Sequence, residues 1–207
     1  MSKRAIVGVV DVGLGNITAI SNMISYVGAS PELISSGVDC GGKDLIIIPG
    51  VSHYDELLKR LKLHEFAPFF QLVDSGKVPT KILGICSGYH VLCLGSEESN
   101  QSSKYSGFGF FNQHVSKLID SVTGRAITHN SWRDVELSAT RSKERFYFNH
   151  SFGVLESRSS SVITNYVHLE ALGMLAASAE KGNIFGTQFH PEKSGKSGLE
   201  FLARIIA

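Results

Sequence analysis

Residues 81–90 of this chain are Lys81-Ile82-Leu83-Gly84-Ile85-Cys86-Ser87-Gly88-Tyr89-His90, and the rest of the chain is organised around them. An apolar run ends at Cys86, which lies between two glycines and before residues that can begin a helix. This pattern predicts a strand-to-helix elbow, because a Cβ at either glycine would obstruct a sharp turn. A helix N-terminus favours a neighbouring thiolate, the form that attacks carbonyls. Taken by itself, Cys86 is more simply interpreted as a small buried core residue.

The composition is that of an ordinary globular protein. Of 207 residues, 43% are hydrophobic and 19% are charged, and the formal net charge of +1 indicates neither a nucleic acid nor a membrane partner. Three cysteines without a C-x-x-C pair favour reduced thiols. The N-terminus lacks a signal-peptide pattern, and no apolar run approaches the ~20 residues of a membrane span. We therefore expect one cytoplasmic domain over residues 1–207, with no cofactor and no metal.

The hydrophobic periodicity changes between the two halves of the chain. Continuous apolar runs predict buried strands at residues 5–10, 44–48 and 81–85. Apolar residues at helical spacing predict helices at 17–28, 54–63 and 66–73, and one after Cys86 that carries Tyr89, Leu92, Cys93 and Leu94. Short strands are predicted at 107–112, 114–118, 126–128, 133–137, 145–150, 162–167, 174–180 and 184–189, followed by a closing helix. The expected fold is α/β, with a mostly parallel central sheet, flanking helices and added antiparallel strands.

The second informative stretch is Gln188-Phe189-His190-Pro191-Glu192. His190 and Glu192 are two residues apart at the end of a strand and point to the same side. A carboxylate that binds one imidazole nitrogen orients the ring and leaves the other nitrogen to serve a thiol. Cys86, His190 and Glu192 would then form a Cys-His-Glu triad. Two alternatives stay open: a pair of metal ligands, for which a third ligand is missing, and an ordinary surface pair.

Two glycine turns follow predicted strands. The turn Pro49-Gly50-Val51-Ser52 lies at the carboxyl edge of the sheet, where its amides and the amide after Cys86 could hold an oxyanion, although Pro-Gly is also a common turn. The turn Gly13-Leu14-Gly15-Asn16 invites a dinucleotide-binding interpretation. Thr18 occupies the position that requires a third glycine or alanine, so we interpret this turn as helix packing.

Taken in order, these pieces resemble the class I glutamine amidotransferases over nearly the whole chain. The segments that carry the resemblance are residues 11–17, 48–51, 84–88, 107–111, 129–132, 146–152 and 186–193. The resemblance implies that Cys86 attacks the side-chain amide of glutamine, with His190 as base and then acid and Glu192 as its orienting carboxylate. It also implies an oxyanion and glutamine-binding set: Gly50, Val51, Ser52, Ser87, His90, Glu98, His150, Ser151 and Phe152.

Within this family, the chain looks most like glutaminase subunits that pass ammonia to a (β/α)8-barrel cyclase subunit in histidine biosynthesis. Such a heterodimer would be its assembly. Ser52, Ser87 and His90 depart from the glycine, large apolar residue and glutamine that the family usually has. Two alternatives therefore stay open. One is a paralogous glutaminase that supplies another synthase, for example one that amidates a surface-polysaccharide sugar. The other is a catalytically weak regulatory or scaffolding subunit.

Overall fold

The computed structural model describes residues 4–100, 106–137, 142–155 and 163–207. The helices in these ranges are α1 (Ile17–Tyr26), α2 (Tyr54–Leu63), α3 (Phe66–Asp74), α4 (Ser87–Leu92) and α5 (Gly195–Ile206), with short 3-10 turns at Gly37–Cys40 and Pro191–Lys193. The strands are β1 (Ile6–Val10), β2 (Ser30–Ile34), β3 (Leu45–Ile48), β4 (Lys81–Ile85), β5 (Cys93–Ser96), β6 (Phe111–Lys117), β7 (His129–Leu137), β8 (Lys143–His150), β9 (Phe152–Gly153), β10 (Ile163–Leu169), β11 (Gly173–Lys181) and β12 (Ile184–Thr187). Within the described ranges, none of the helices is long and apolar enough to cross a membrane.

A nine-stranded sheet lies at the centre, in the order β2-β1-β3-β4-β12-β11-β10-β7-β8. The strands from β2 to β12 in this order are parallel. The remaining four, from β11 to β8, each pair antiparallel with the strand before them. A smaller sheet contains β5, β6 and β9. The predicted α/β architecture is therefore confirmed, with parallel strands first and antiparallel strands added by the second half of the chain.

Buried apolar side chains cover both faces of the parallel strands. Because successive side chains of a strand point to opposite faces, Leu45 and Ile47 pack with residues of α1 and α5, whereas Ile46 and Ile48 pack with residues of α2 and α3. This two-sided burial explains why the strands are continuous apolar runs. A third cluster, which includes Phe146, lies in the antiparallel half.

The strand β2 has no clear signal in the sequence. It lies at the edge of the large sheet, where it pairs only with β1 among the described residues. Pro31 is tolerated there because a proline that cannot donate a hydrogen bond fits an edge strand. Of its five residues only Ile34 is buried, so no apolar run marks it.

Other predicted boundaries are wrong near residue 93 and in the second half. The helix after Cys86 ends at Leu92, because Cys93 begins β5 and pairs with β6. Cys93 is nevertheless buried, as predicted for a core residue. The predicted strand over residues 107–112 begins only at Phe111, after Gly109 with a φ of +71°. Residues 126–128 form no strand beyond one bridge between Ala126 and Ile119.

Candidate active site

Cys86 lies at the sharp turn between β4 and α4. Its φ of 52° and ψ of −111° are unusual for a residue with a Cβ, and such strain concentrates at functional sites. The neighbouring backbones approach so closely that a Cβ on Gly84 would collide with Gly88, and a Cβ on Gly88 would collide with the Ile48 carbonyl. The predicted elbow is therefore confirmed, and its two glycines are required by close packing.

His190 and Glu192 lie beside this turn. The imidazole Nδ1 of His190 donates to Oε1 of Glu192 at 2.9 Å, and both side chains are almost completely buried. His190 also lies close enough to the Cys86 thiol for the two side chains to influence each other's protonation. The structure thus brings together the three residues that the sequence predicts as a triad, although 104 positions separate the cysteine from the histidine.

The electrostatic environment favours the protonated form of His190. Burial acts to lower the pKa of its imidazole, but hydrogen bonds with Cys86 and Glu192, and the negative charges of both, raise that pKa from 6.5 to about 9. An imidazolium beside Cys86 in turn favours the thiolate. The arrangement can therefore form a thiolate–imidazolium pair.

Main-chain contacts fix the position of His190. Its amide donates to the Tyr147 carbonyl at 2.9 Å. The hydroxyl of Ser194 donates to the His190 carbonyl at 2.6 Å and accepts from the Tyr147 amide at 3.0 Å. Ser194 is buried and was not identified from the sequence. It ties the histidine to β8, a strand whose end also contributes to the site.

A pocket of about 410 Å³ opens beside Cys86. The residues that line it are Gly50, Val51, Ser52, His53, Cys86, Ser87, His90, Glu98, Asn149, His150, Ser151, Phe152 and His190. Every predicted oxyanion and glutamine-binding residue is in this set, and Glu192 lies behind His190. Sequence reasoning did not assign His53 or Asn149 to the site; the Cys86 sulfur lies 4.0 Å from the Asn149 carbonyl.

The Gly50 backbone lies directly against the elbow. A Cβ on Gly50 would be 2.5 Å from the Ser87 amide nitrogen and would collide with the Gly88 nitrogen. The Tyr89 and His90 amides donate to the Cys86 carbonyl, whereas no side chain in the described ranges caps the start of α4. The Ser87 and Gly88 nitrogens therefore lie against the Gly50 backbone beside Cys86, where amides that bind an oxyanion are needed.

The pocket wall has one half-buried acid, Glu98, and two buried imidazoles, His90 and His150. Burial raises the pKa of the Glu98 carboxyl, although His53 and a hydrogen bond from the Tyr54 backbone oppose this effect. Burial lowers the pKa of His90 to about 4 and the pKa of His150 well below its usual value. His150 is oriented because its Nδ1 donates to the Phe152 carbonyl at 2.8 Å.

Metal binding has little support from the described residues. Within the described ranges, His, Cys, Asp and Glu side chains form no group of three that could hold a metal ion. His190 and Glu192 instead bind each other. A strained cysteine, an adjacent histidine–carboxylate pair and backbone amides close to the cysteine are typical of enzymes that cleave amides through a thioester.

The chain belongs to the class I glutamine amidotransferase family. The family model described as "Glutamine amidotransferase class-I" matches residues 9–206. Curated relatives bear the name "Imidazole glycerol phosphate synthase subunit HisH". The relative from Listeria monocytogenes is 32% identical over 200 residues, which are 94% of this chain and 91% of the relative. The one from Pyrobaculum aerophilum is 33% identical over 205 residues, or 98% and 97% of the two chains.

Solved structures share the fold. A structure described as "Crystal structure of glutamine amidotransferase" matches with a TM-score of 0.73 at 16% identity, over 97% of this chain and 98% of the other. "Structure of PurLQS from Thermotoga maritima" matches with a TM-score of 0.71 at 18% identity, over 99% and 98%. At these identities the likeness concerns the fold alone.

Proposed function

We propose that this chain is the glutaminase subunit of an imidazole glycerol phosphate synthase, built as a single glutaminase domain over residues 1–207. The observation that carries the proposal is the placement of Cys86, at a strained elbow, beside the buried His190–Glu192 pair. The adjoining pocket of about 410 Å³ has the size of a small-molecule site. The relatives named HisH support the assignment, since each matches nearly the full chain at about 30% identity.

The proposed reaction proceeds through a thioester. The Cys86 thiolate attacks the side-chain amide carbon of glutamine, and the amides near Ser87 and Gly50 stabilise the oxyanion. His190 gives its proton to the leaving nitrogen, so that ammonia departs and a glutamyl thioester remains. His190 then takes a proton from water, the resulting nucleophile attacks the thioester, and glutamate leaves as the thiolate is restored.

Charge suggests how glutamine is oriented. Glu98 is the acidic residue in the pocket lining, and we propose that its carboxylate binds the α-ammonium group of glutamine. The segment His150, Ser151 and Phe152 forms another wall, where Thr128 fixes the Ser151 hydroxyl at 2.8 Å. Both ring nitrogens of His150 already bind within the protein, Nδ1 to the Phe152 carbonyl and Nε2 to Nδ1 of His129. Neutral His90 keeps an Nδ1 without a partner among the described residues, which can accept a hydrogen bond.

Because the relatives are named as subunits, we expect this chain to form a complex with a partner subunit. We propose that the partner is a (β/α)8-barrel cyclase, joined in a cytoplasmic heterodimer, which receives the ammonia before it reaches solvent. The pocket would then bind glutamine alone, and the acceptor would bind to the cyclase.

The test is glutamate release from glutamine, measured with and without a histidine-pathway cyclase subunit. We expect release that rises on adding the cyclase and disappears in Cys86→Ala. Cys40→Ala is the matched control, because Cys40 is also a buried free cysteine but lies outside the pocket. Folded protein without activity under either condition would refute the proposed glutaminase activity and would favour a regulatory or scaffolding subunit.

A second candidate is a paralogous glutaminase that supplies a different synthase. The observation in its favour is that Ser52, Ser87 and His90, which depart from the family pattern, all line the pocket. The hydroxyls of Ser52 and Ser87 are buried and have no partner among the described residues. Glutamine hydrolysis that the histidine-pathway cyclase does not stimulate would favour this candidate.

A further inference from the structure

The side chain of Gln188 reaches the thiol from a direction that the proposed mechanism does not use. Its Nε2 lies 3.6 Å from the Cys86 sulfur, and its Oε1 lies 2.8 Å from Nε2 of His90. Gln188 is completely buried, and its backbone amide donates to the Ala177 carbonyl at 2.9 Å. The backbone of Gln188 is thus held by β11, and its side-chain amide is held by Cys86 and His90.

The chemistry of these partners decides which way round the Gln188 amide lies. A thiolate can only accept, so the N–H end of the amide must face Cys86. The oxygen end then faces His90 and needs a donor, which places the His90 proton on Nε2. This neutral tautomer agrees with the burial that lowers the pKa of His90 to about 4. The Nδ1 atom of His90 is buried and has no partner among the described residues.

Gly153 keeps room for this arrangement. A Cβ on Gly153 would lie 3.1 Å from Oε1 of Gln188 and 2.8 Å from a methyl group of Leu175. A larger residue would press on the amide, because Leu175 itself is fully buried and cannot easily move away. The backbone at the end of the small sheet therefore helps to fix the amide.

We propose that Gln188 is a catalytic residue that stabilises the Cys86 thiolate by donating an N–H hydrogen bond, and that His90 is the positioning residue that orients its amide. This role rests on the proposed glutaminase function and deepens it. Two donors, His190 and Gln188, converge on one sulfur. Because a hydrogen bond to the charged form favours that form, removing either donor reduces the thiolate population at a given pH.

The test is the pH dependence of Cys86 alkylation by iodoacetamide on the full chain, without glutamine. Mass spectrometry of the Cys86 peptide separates this reaction from that of Cys40 and Cys93. Gln188→Met removes the donor at similar length, so we expect the alkylation midpoint to rise by about one pH unit, with about tenfold slower alkylation below it. In Gln188→Glu a carboxylate faces the sulfur, and the rise should be at least as large. The other titratable groups lining the pocket are His53, His90, Glu98, His150 and His190.

Two further variants separate this role from general packing. Gln113→Met is the matched control, because Gln113 is also buried and binds the Tyr89 hydroxyl at 2.7 Å, away from the pocket. It should leave the midpoint unchanged. His90→Leu removes the donor to Oε1 and should raise the midpoint by less than Gln188→Met does. The alkylation midpoint measures the ionisation of the Cys86 thiol. A loss of packing alone, with both hydrogen-bond donors still in place, should not change this midpoint.

An unchanged midpoint in folded Gln188→Met or Gln188→Glu overturns the proposal. If neither variant folds, the proposal is tested by NMR of the unmodified protein. The resonances of the Gln188 side-chain amide protons should shift as Cys86 ionises. Resonances that do not shift during this titration overturn the proposal. Alkylation needs no glutamine. A raised midpoint without glutamine hydrolysis would therefore count against the proposed function alone, whereas hydrolysis with an unchanged midpoint would count against Gln188 alone.

Discussion

Removing the Cys86 thiol should lower the pKa of His190 by at least one unit. In the intact site, burial disfavours the imidazolium, but Cys86 and Glu192 together raise the pKa of His190 from 6.5 to about 9. That rise corresponds to about 3 kcal/mol of differential stabilisation of the charged form. Cys86→Ala removes one hydrogen bond and one charge while leaving Glu192 at 2.9 Å and the burial unchanged.

The raised pKa of His190 also makes the stability of the folded protein depend on pH. Because the pKa of His190 in the folded state lies above its unfolded value, the contribution to stability is fully present below pH 6.5. It is lost as the pH rises through 9, where the folded state also becomes neutral. We therefore expect the free energy of unfolding to fall over this window, by up to about 3 kcal/mol from this group. In Cys86→Ala the window should narrow and the fall should shrink.

The measurement is NMR titration of the imidazole nitrogens in histidine-labelled protein, which has eight histidines. Comparison with His190→Gln assigns the signal. Cys93→Ala is the control, since Cys93 is buried away from the pocket and its thiol binds the Tyr89 carbonyl. A His190 that titrates at or below pH 6.5 in unmodified protein would refute the thiolate–imidazolium pair, as would the same pKa in Cys86→Ala.

Three other substitutions test separate parts of the site. Glu192→Gln keeps the shape but loses the charge that orients His190, so glutamine hydrolysis should fall about a hundredfold or more with little change in the unfolding midpoint, measured by glutamate release and thermal unfolding. Gly88→Ala forces a Cβ against the Ile48 carbonyl and should destabilise the fold by at least about 2 kcal/mol in urea unfolding; an equally stable variant would contradict the packing at the elbow. Ser194→Ala removes the hydroxyl between the His190 carbonyl and the Tyr147 amide, which should cost about 1–3 kcal/mol and also lower activity; unchanged stability would show that water replaces it.

The parts of the site that the sequence predicts are those with a local signal. Cys86 is marked by an apolar strand before it and by glycines two residues to either side. His190 and Glu192 are marked by their spacing around a proline. The structure shows why these signals are reliable, because backbone contacts at Gly84 and Gly88 leave no room for a Cβ.

Contacts that depend on distant parts of the chain have no such signal. Gln188 reaches Cys86 only because β12 lies beside β4 in the sheet, and Asn149 reaches it from the far antiparallel half. The predicted end of α4 is wrong for the same reason. Cys93 fits a helical apolar face, but pairing with β6 outweighs that local preference. Strand β2 was missed because an edge strand needs no continuous apolar pattern.

In the proposed reaction, Cys86 becomes acylated by the side chain of glutamine. This acylation is tested by mass spectrometry of the chain, quenched in acid during turnover of glutamine in the presence of the proposed cyclase partner. We predict a mass increase of one glutamyl group, located on the peptide that contains Cys86 and absent from Cys86→Ala. A glutamyl group on another residue, or ammonia release that persists in Cys86→Ala, would contradict the account.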